Sequence, residues 1–94
     1  MNCKAKGSRR ERQTIELLQA QGYACTKSGG SLGVFDVIAI GADDMLLVQC
    51  KSNRWPSSVE MASIEDFKAP ANCRKLIHRW RDRAVLPDVR EIEL

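Results

Sequence analysis

Long apolar runs are missing from these 94 residues. None reaches the roughly 20 residues that a membrane-spanning helix needs, and the basic N-terminus lacks the apolar segment of a secretion signal. Both absences argue for a cytoplasmic protein. The four cysteines, Cys3, Cys25, Cys50 and Cys73, include no C-x-x-C pair, and His78 is the only histidine. That spread argues against a zinc site, which needs clustered ligands. With nothing pointing to secretion, the cysteines read as reduced thiols. Internal repeats, low-complexity tracts and a second-domain boundary are also lacking, so residues 1–94 read as a single domain. A domain this short buries a limited fraction of its surface, which makes oligomerisation a reasonable source of added stability.

Charge is present but uneven. The net value is only +3, yet Lys4, Lys6, Arg9, Arg10 and Arg12 stand against Glu11 alone in residues 1–12. Residues 68–83 set Lys68, Arg74, Lys75, Arg79, Arg81 and Arg83 against Asp82. Two basic segments on a nearly neutral chain suggest a polyanion partner, although a solvated basic surface explains them equally well.

Ser8-Arg-Arg-Glu11 has the spacing of a capping box and predicts a helix over residues 8–21, ended by Gly22. Thr14, Ile15, Leu17 and Leu18 mark its inner face. Glu11, Ile15 and Leu18 fall at i, i+4 and i+7, which puts a carboxylate on the buried stripe. Capping alone also accounts for Glu11. Residues 23–27 read as a short strand, and 28–33 as a Ser/Gly loop with permissive backbone positions. Ser58 is the expected cap of a second helix over 59–68, and strands follow at 75–80 and 89–94. The order αβββαββ favours an α/β domain with a central mixed sheet flanked by helices.

Between these elements, residues 34–40 and 45–51 read as two apolar strands joined by the turn Gly41-Ala-Asp-Asp44. Polar residues interrupt them at Asp36, Gln49 and Lys51. If Ile40 faces Met45, Asp36 lies opposite Gln49, and Lys51 follows on the same face. Burying an acid, an amide and an ammonium together is costly without partners or a ligand. A buried Asp36–Lys51 ion pair is one reading, though such pairs are poor stabilisers. The other is a site for a hard cation. Mg²⁺ is commonly held by one or two carboxylates plus other oxygens, which Asp36, the Gln49 side chain and the Cys50 main-chain carbonyl can supply. Lys51 would then orient an attacking water or offset charge in the transition state.

Asp36, twelve intervening residues and Gln49-Cys-Lys51 resemble the PD-(D/E)XK nuclease motif, with Gln in the acidic slot and Phe35 in place of Pro. Upstream, Lys6-Gly-Ser-Arg-Arg-Glu-Arg12 and residues 21–31 are similar to the archaeal-type Holliday junction resolvases. The resemblance covers roughly residues 6–54. It implies a restriction-endonuclease-like core, with Glu11, Asp36 and Gln49 at a Mg²⁺ or Mn²⁺ site and Lys51 as the catalytic lysine. It also implies DNA contacts by Arg12 and Lys27, with Ser31 in the loop beside the site. The basic segments, with Arg54 after the hairpin, add Lys6, Arg9, Arg10, Arg79 and Arg81 as candidate DNA-binding residues. Trp55, His78 and Trp80 are adequately explained by packing.

The expected function is a metal-dependent endodeoxyribonuclease that cuts branched DNA, foremost four-way junctions, as a homodimer. The alternatives are an Mrr-like or VRR-NUC-type nuclease acting on duplex or flap DNA, and a DNA-binding module without catalysis. Gln49 keeps the last alternative open, because an amide removes one negative charge from the cation site.

Overall fold

The computed structural model describes residues 3–30 and 32–93, with side chains from residue 8 onward. In chain order the elements are α1 (Cys3–Ala20), β1 (Ala24–Lys27), β2 (Val37–Ile40), β3 (Met45–Ser52), α2 (Ser58–Asp66), β4 (Cys73–Trp80) and β5 (Asp88–Ile92). This is the αβββαββ order read from the sequence. The sheet runs β1-β2-β3-β4-β5, antiparallel except that β3 and β4 are parallel. A parallel pair cannot be joined by a tight turn and needs a crossover, which α2 supplies.

β3 builds core on both of its faces. Leu46 and Val48 join Val37, Ala39, Leu76 and Leu18 of α1 in one cluster. Leu47, one residue out of phase, joins Phe35, Cys73, Ile77 and Ile64 of α2 in the other. An apolar run without alternation is what a strand covered on both sides requires.

Two helix starts differ from expectation. α1 begins at Cys3, so Ser8 and Glu11 lie inside an 18-residue helix and form no capping box. Lys4, Ala5 and Lys6 are good helix formers and carry the helix back across Gly7, whose cost in a helix interior is about 1 kcal/mol. The predicted stop holds. Gly22 adopts φ 98°, and the N–H groups of Gly22 and Tyr23 bond the carbonyls of Gln19 and Leu18, both at 3.0 Å. A capping box does occur, at α2. Ser57 rather than Ser58 is its N-cap; Ser57 Oγ accepts from the Glu60 N–H at 3.2 Å, and the Ser57 N–H donates to Glu60 Oε1 at 3.0 Å.

The hairpin keeps the predicted register, Ile40 opposite Met45 and Val37 opposite Val48. However, β2 starts at Val37, not at residue 34. The Asp36 N–H bonds the Val48 carbonyl at 2.8 Å, one residue out of step with the ladder. Asp36 is therefore not the strict cross-strand partner of Gln49. Its side chain accounts for the offset, because Oδ2 accepts the N–H of Cys50 at 2.8 Å.

Thr14 and His78 are buried between α1 and the sheet's β3–β4 centre. Thr14 Oγ1 accepts from Trp80 Nε1 at 2.9 Å and from Cys50 Sγ at 3.4 Å, and lies 3.2 Å from His78 Nδ1. With both lone pairs used, its own proton goes to Nδ1, which selects the neutral Nε2–H tautomer of His78. Burial lowers the His78 pKa from 6.5 to about 4. A depressed folded-state pKa means that the unfolded chain takes up a proton first, so stability is lost as pH falls from 6.5 toward 4. The loss should reach about 3 kcal/mol. Urea titrations of wild type and His78→Gln across this window should show the extra pH slope only in the wild type; equal slopes would refute it.

On the opposite face, Lys75 is 1% exposed, and its Nζ donates to the carbonyls of Ile64 at 2.8 Å and Glu65 at 3.2 Å. A cation here satisfies the open C-terminal carbonyls of α2 and complements its dipole. Lys75→Met should cost roughly 1–3 kcal/mol and release α2 first. Hydrogen exchange should then quicken at α2 amides before those of β3, and uniform exchange across both elements would contradict this.

Candidate functional site

The site is assembled where β3 ends and α2 begins, with α1 closing one side. A cavity of about 340 Å³ is lined by Ser8 and Glu11 of α1, Lys27 of β1, Ser28, Gly29 and Gly30 of the following loop, and Asp36. Ser28 is buried and fastens that loop, donating its N–H to the Asp36 carbonyl at 2.9 Å and its hydroxyl to the Phe35 carbonyl. Gly29 and Gly30 then take φ 63° and 84°, a backbone region that side chains disfavour. Ser31 falls outside the described residues, and so does the side chain of Lys6.

Asp36 is half-buried at the inner wall. Burial pushes its carboxyl pKa up, the Cys50 N–H opposes this, the charges of Glu11 and Glu60 add to the rise, and Lys51 lowers it. Glu11, Glu60 and Lys51 therefore all lie close enough to act on Asp36. Glu11 makes a 3.7 Å ion pair with Lys27, partly exposed and so of small energetic weight. Burial pushes the Cys50 thiol up to about 12. It stays protonated at neutral pH, which leaves the main-chain carbonyl as the only ligand atom Cys50 can offer.

Gln49 is 4% exposed. Its Nε2 donates to Glu60 Oε2 at 3.2 Å. Its Oε1 is the one buried side-chain nitrogen or oxygen without a hydrogen-bond partner among the described residues. Lys51 Nζ reaches the same carboxylate, 3.3 Å from Oε1 and 3.4 Å from Oε2 of Glu60. Sequence reasoning missed Glu60. The only signal for it was the Ser57-x-x-Glu60 spacing ahead of α2, which marks a helix start and says nothing of a site.

Gln49 and Lys51 thus both contact Glu60, Asp36 is tied to the Cys50 N–H between them, and Glu11 lines the same cavity as Asp36. The candidate DNA contacts divide. Arg9 and Arg12 on α1 and Arg54 after β3 are exposed. Arg10 is instead a structural brace, 5% exposed, bonding Ser52 Oγ and Gln13 Oε1 at 3.0 Å and Asp82 at 3.3 Å. Its place on the inner side of α1 turns it away from solvent. Arg79 holds Asp88 at 2.7 Å and stacks on Trp55 at 4.4 Å, with Arg90 on the same ring at 4.3 Å. Arg81 is exposed and pairs with Asp88 at 2.9 Å.

Can these residues hold a hard divalent cation? Among the described residues no three His, Cys, Asp or Glu side chains gather at one point. The oxygen set that does fit comprises the carboxylates of Asp36 and Glu11, the Cys50 carbonyl and the orphaned Gln49 Oε1. Mg²⁺ sites of one or two carboxylates completed by other oxygens are ordinary, and an amide oxygen left without a donor is the atom such a cation would satisfy.

Among curated proteins no significant match is found. The fold is similar to that of Hjc, a Holliday junction resolvase from the archaeal hyperthermophile Archaeoglobus fulgidus. The TM-score is 0.70 at 21% identity, over 93% of this chain and 71% of that one. The likeness supports an α/β fold compatible with the expected restriction-endonuclease-like core. A family model for archaeal Holliday junction resolvases matches residues 2–68, from α1 through α2, and so takes in each of the site residues from Glu11 to Glu60. With that match over most of its length, the chain belongs to the archaeal Holliday junction resolvase family.

Proposed function

We propose that this protein is a metal-dependent endodeoxyribonuclease that hydrolyses phosphodiester bonds at four-way DNA junctions and acts as a homodimer. What supports the reading is the Asp36 carboxylate held by the Cys50 N–H, the unpartnered Oε1 of neighbouring Gln49 and the ammonium of Lys51 two residues on, in a chain of this family. Asp36, Glu11, Gln49 Oε1 and the Cys50 carbonyl would hold Mg²⁺ or Mn²⁺. When bound, the cation supplies Lewis-acid stabilisation of charge developing on the phosphate oxygens.

The chain's own groups do the remaining work. The Cys50 N–H fixes one oxygen of Asp36, leaving the other lone pairs for the cation. Lys51 extends an ammonium beside the reacting phosphate, where it can orient a water and offset negative charge. Arg9, Arg12 and Arg54 supply phosphate contacts that set position without reading base sequence. Two copies related by a twofold axis present two such sites, which suits paired cuts on opposed strands.

Asp36→Ala or Lys51→Ala should lower junction cleavage by at least roughly 100-fold and leave junction affinity nearly unchanged, because affinity comes from the Lys/Arg surface. The assay compares four-way junction, flap and linear duplex DNA with and without Mg²⁺. Full cutting by Asp36→Ala would remove the site, and preference for duplex or flap would move the substrate assignment to those DNAs. The amide at position 49 favours one rival, a DNA-binding module without catalysis. That rival predicts junction binding with no Mn²⁺ uptake by calorimetry.

A further inference from the structure

The amide in a slot where the family motif carries an acid raises a physical question that the surroundings of Gln49 answer. A side-chain amide offers an oxygen on one branch and an NH₂ on the other, and only the oxygen can bind a cation. Which branch faces the site must be set by something else. Only Nε2 can donate to a carboxylate, so the 3.2 Å contact to Glu60 commits the NH₂ toward α2. The oxygen is turned the other way and left with no donor.

Glu60 is itself held. Its Oε1 accepts from the Ser57 N–H at 3.0 Å, and its place at the third position of α2 sets it in the positive end of the helix dipole. The same carboxylate draws in Lys51. It also returns to the neighbourhood the negative charge that glutamine lacks, since Asp36 feels its field.

We infer that Glu60 is a positioning residue of the site: it orients the Gln49 amide so that the carbonyl oxygen is presented as a cation ligand, and it holds Lys51 beside that ligand. A glutamine in the acidic slot is thereby workable because a carboxylate one layer out fixes its orientation. Outer partners of this kind commonly change metal affinity by about 10–100-fold. The inference rests on the cation reading proposed above.

The test has a metal-free arm and a metal arm, both on the full chain. In the first, the Gln49 side-chain NH₂ signals are followed by NMR and assigned by their loss in Gln49→Glu. Their exchange with water should quicken several-fold in Glu60→Ala, while Ser57→Ala, which weakens the α2 cap but spares the Glu60 carboxylate, should leave them in place. In the second, Mn²⁺ affinity is read by calorimetry. Glu60→Ala should weaken it by about tenfold or more in the wild-type background. In Gln49→Glu the loss on removing Glu60 should be clearly smaller, because a carboxylate offers an oxygen on either branch and needs no orienting partner. Loss of the helix cap alone would weaken both backgrounds alike. Unchanged Gln49 NH₂ exchange in Glu60→Ala, or wild-type Mn²⁺ affinity indifferent to it, overturns the positioning role and leaves the cation site standing. No Mn²⁺ uptake by the wild type overturns the cation reading itself, and with it the purpose assigned to Glu60.

Discussion

The hydrogen bond from the Cys50 N–H to Asp36 Oδ2, 2.8 Å long, is the contact on which the arrangement of this site depends. It draws Asp36 out of step with the β2–β3 ladder and sets the carboxylate beside the end of β3. A half-buried acid loses favourable hydration, and one backbone donor restores only part of it. Its pKa rises accordingly, with the charges of Glu11 and Glu60 adding to the effect. An acid kept where its ionised form is strained by two neighbouring acids gains from positive charge nearby. Lys51 supplies some of it, and a divalent cation would supply more.

The sheet's two ends contrast on this point. At the far end, Tyr23 Oη bonds both oxygens of Asp44 at 3.0 and 3.2 Å, Arg74 joins Asp44 at 3.4 Å, and Arg74 meets Glu91 at 2.7 Å. Acids and donors there satisfy one another. At the β3–α2 end, Lys51 is engaged by Glu60 and Lys27 by Glu11, and among the described residues the Gln49 amide oxygen has no donor. Polar groups that close on themselves serve the fold, whereas an acceptor to spare is consistent with the cation site proposed above. The location is also what the topology favours. β3 is one member of the parallel pair, and the crevice beyond the carboxyl end of such a strand, where the crossover helix starts, is where open α/β sheets bind ligands.

Much of this was legible from the amino acids alone, for identifiable reasons. The hairpin register followed from a four-residue turn between two apolar runs, but it held only from Val37 onward, and Asp36, expected opposite Gln49, lies one residue out of step. The unbroken apolar character of β3 foretold its burial on both faces. What escaped was set by longer-range or competing effects. Ser8-x-x-Glu11 and Ser57-x-x-Glu60 carry the same local signal, yet only the second caps a helix, because good helix formers extend α1 past Ser8. Nothing in a charge pattern says that Arg10 turns inward to Ser52 and Asp82 while Arg9 and Arg12 stay in water; that is decided by which side of α1 meets the sheet. Glu60 was hidden for a related reason, since its relation to Gln49 and Lys51 exists only once α2 has folded back over the end of β3.

The division among the arginines bears on how the protein meets a polyanion. Arg79 and Arg81 share Asp88, and burial against Trp55 further restrains Arg79. A phosphate recruiting Arg79 must compete with a carboxylate 2.7 Å away and break a cation–π stack of about 0.5–1 kcal/mol or more. Among the described residues Arg9 and Arg12 have no such competitor of comparable closeness, and they stand on the same helix that carries Glu11 to the cavity. The more heavily charged segment around β4 thus has three of its arginines, Arg74, Arg79 and Arg81, already paired with carboxylates, which favours α1 as the proposed phosphate-contacting element, although the sequence weights the two in the opposite order.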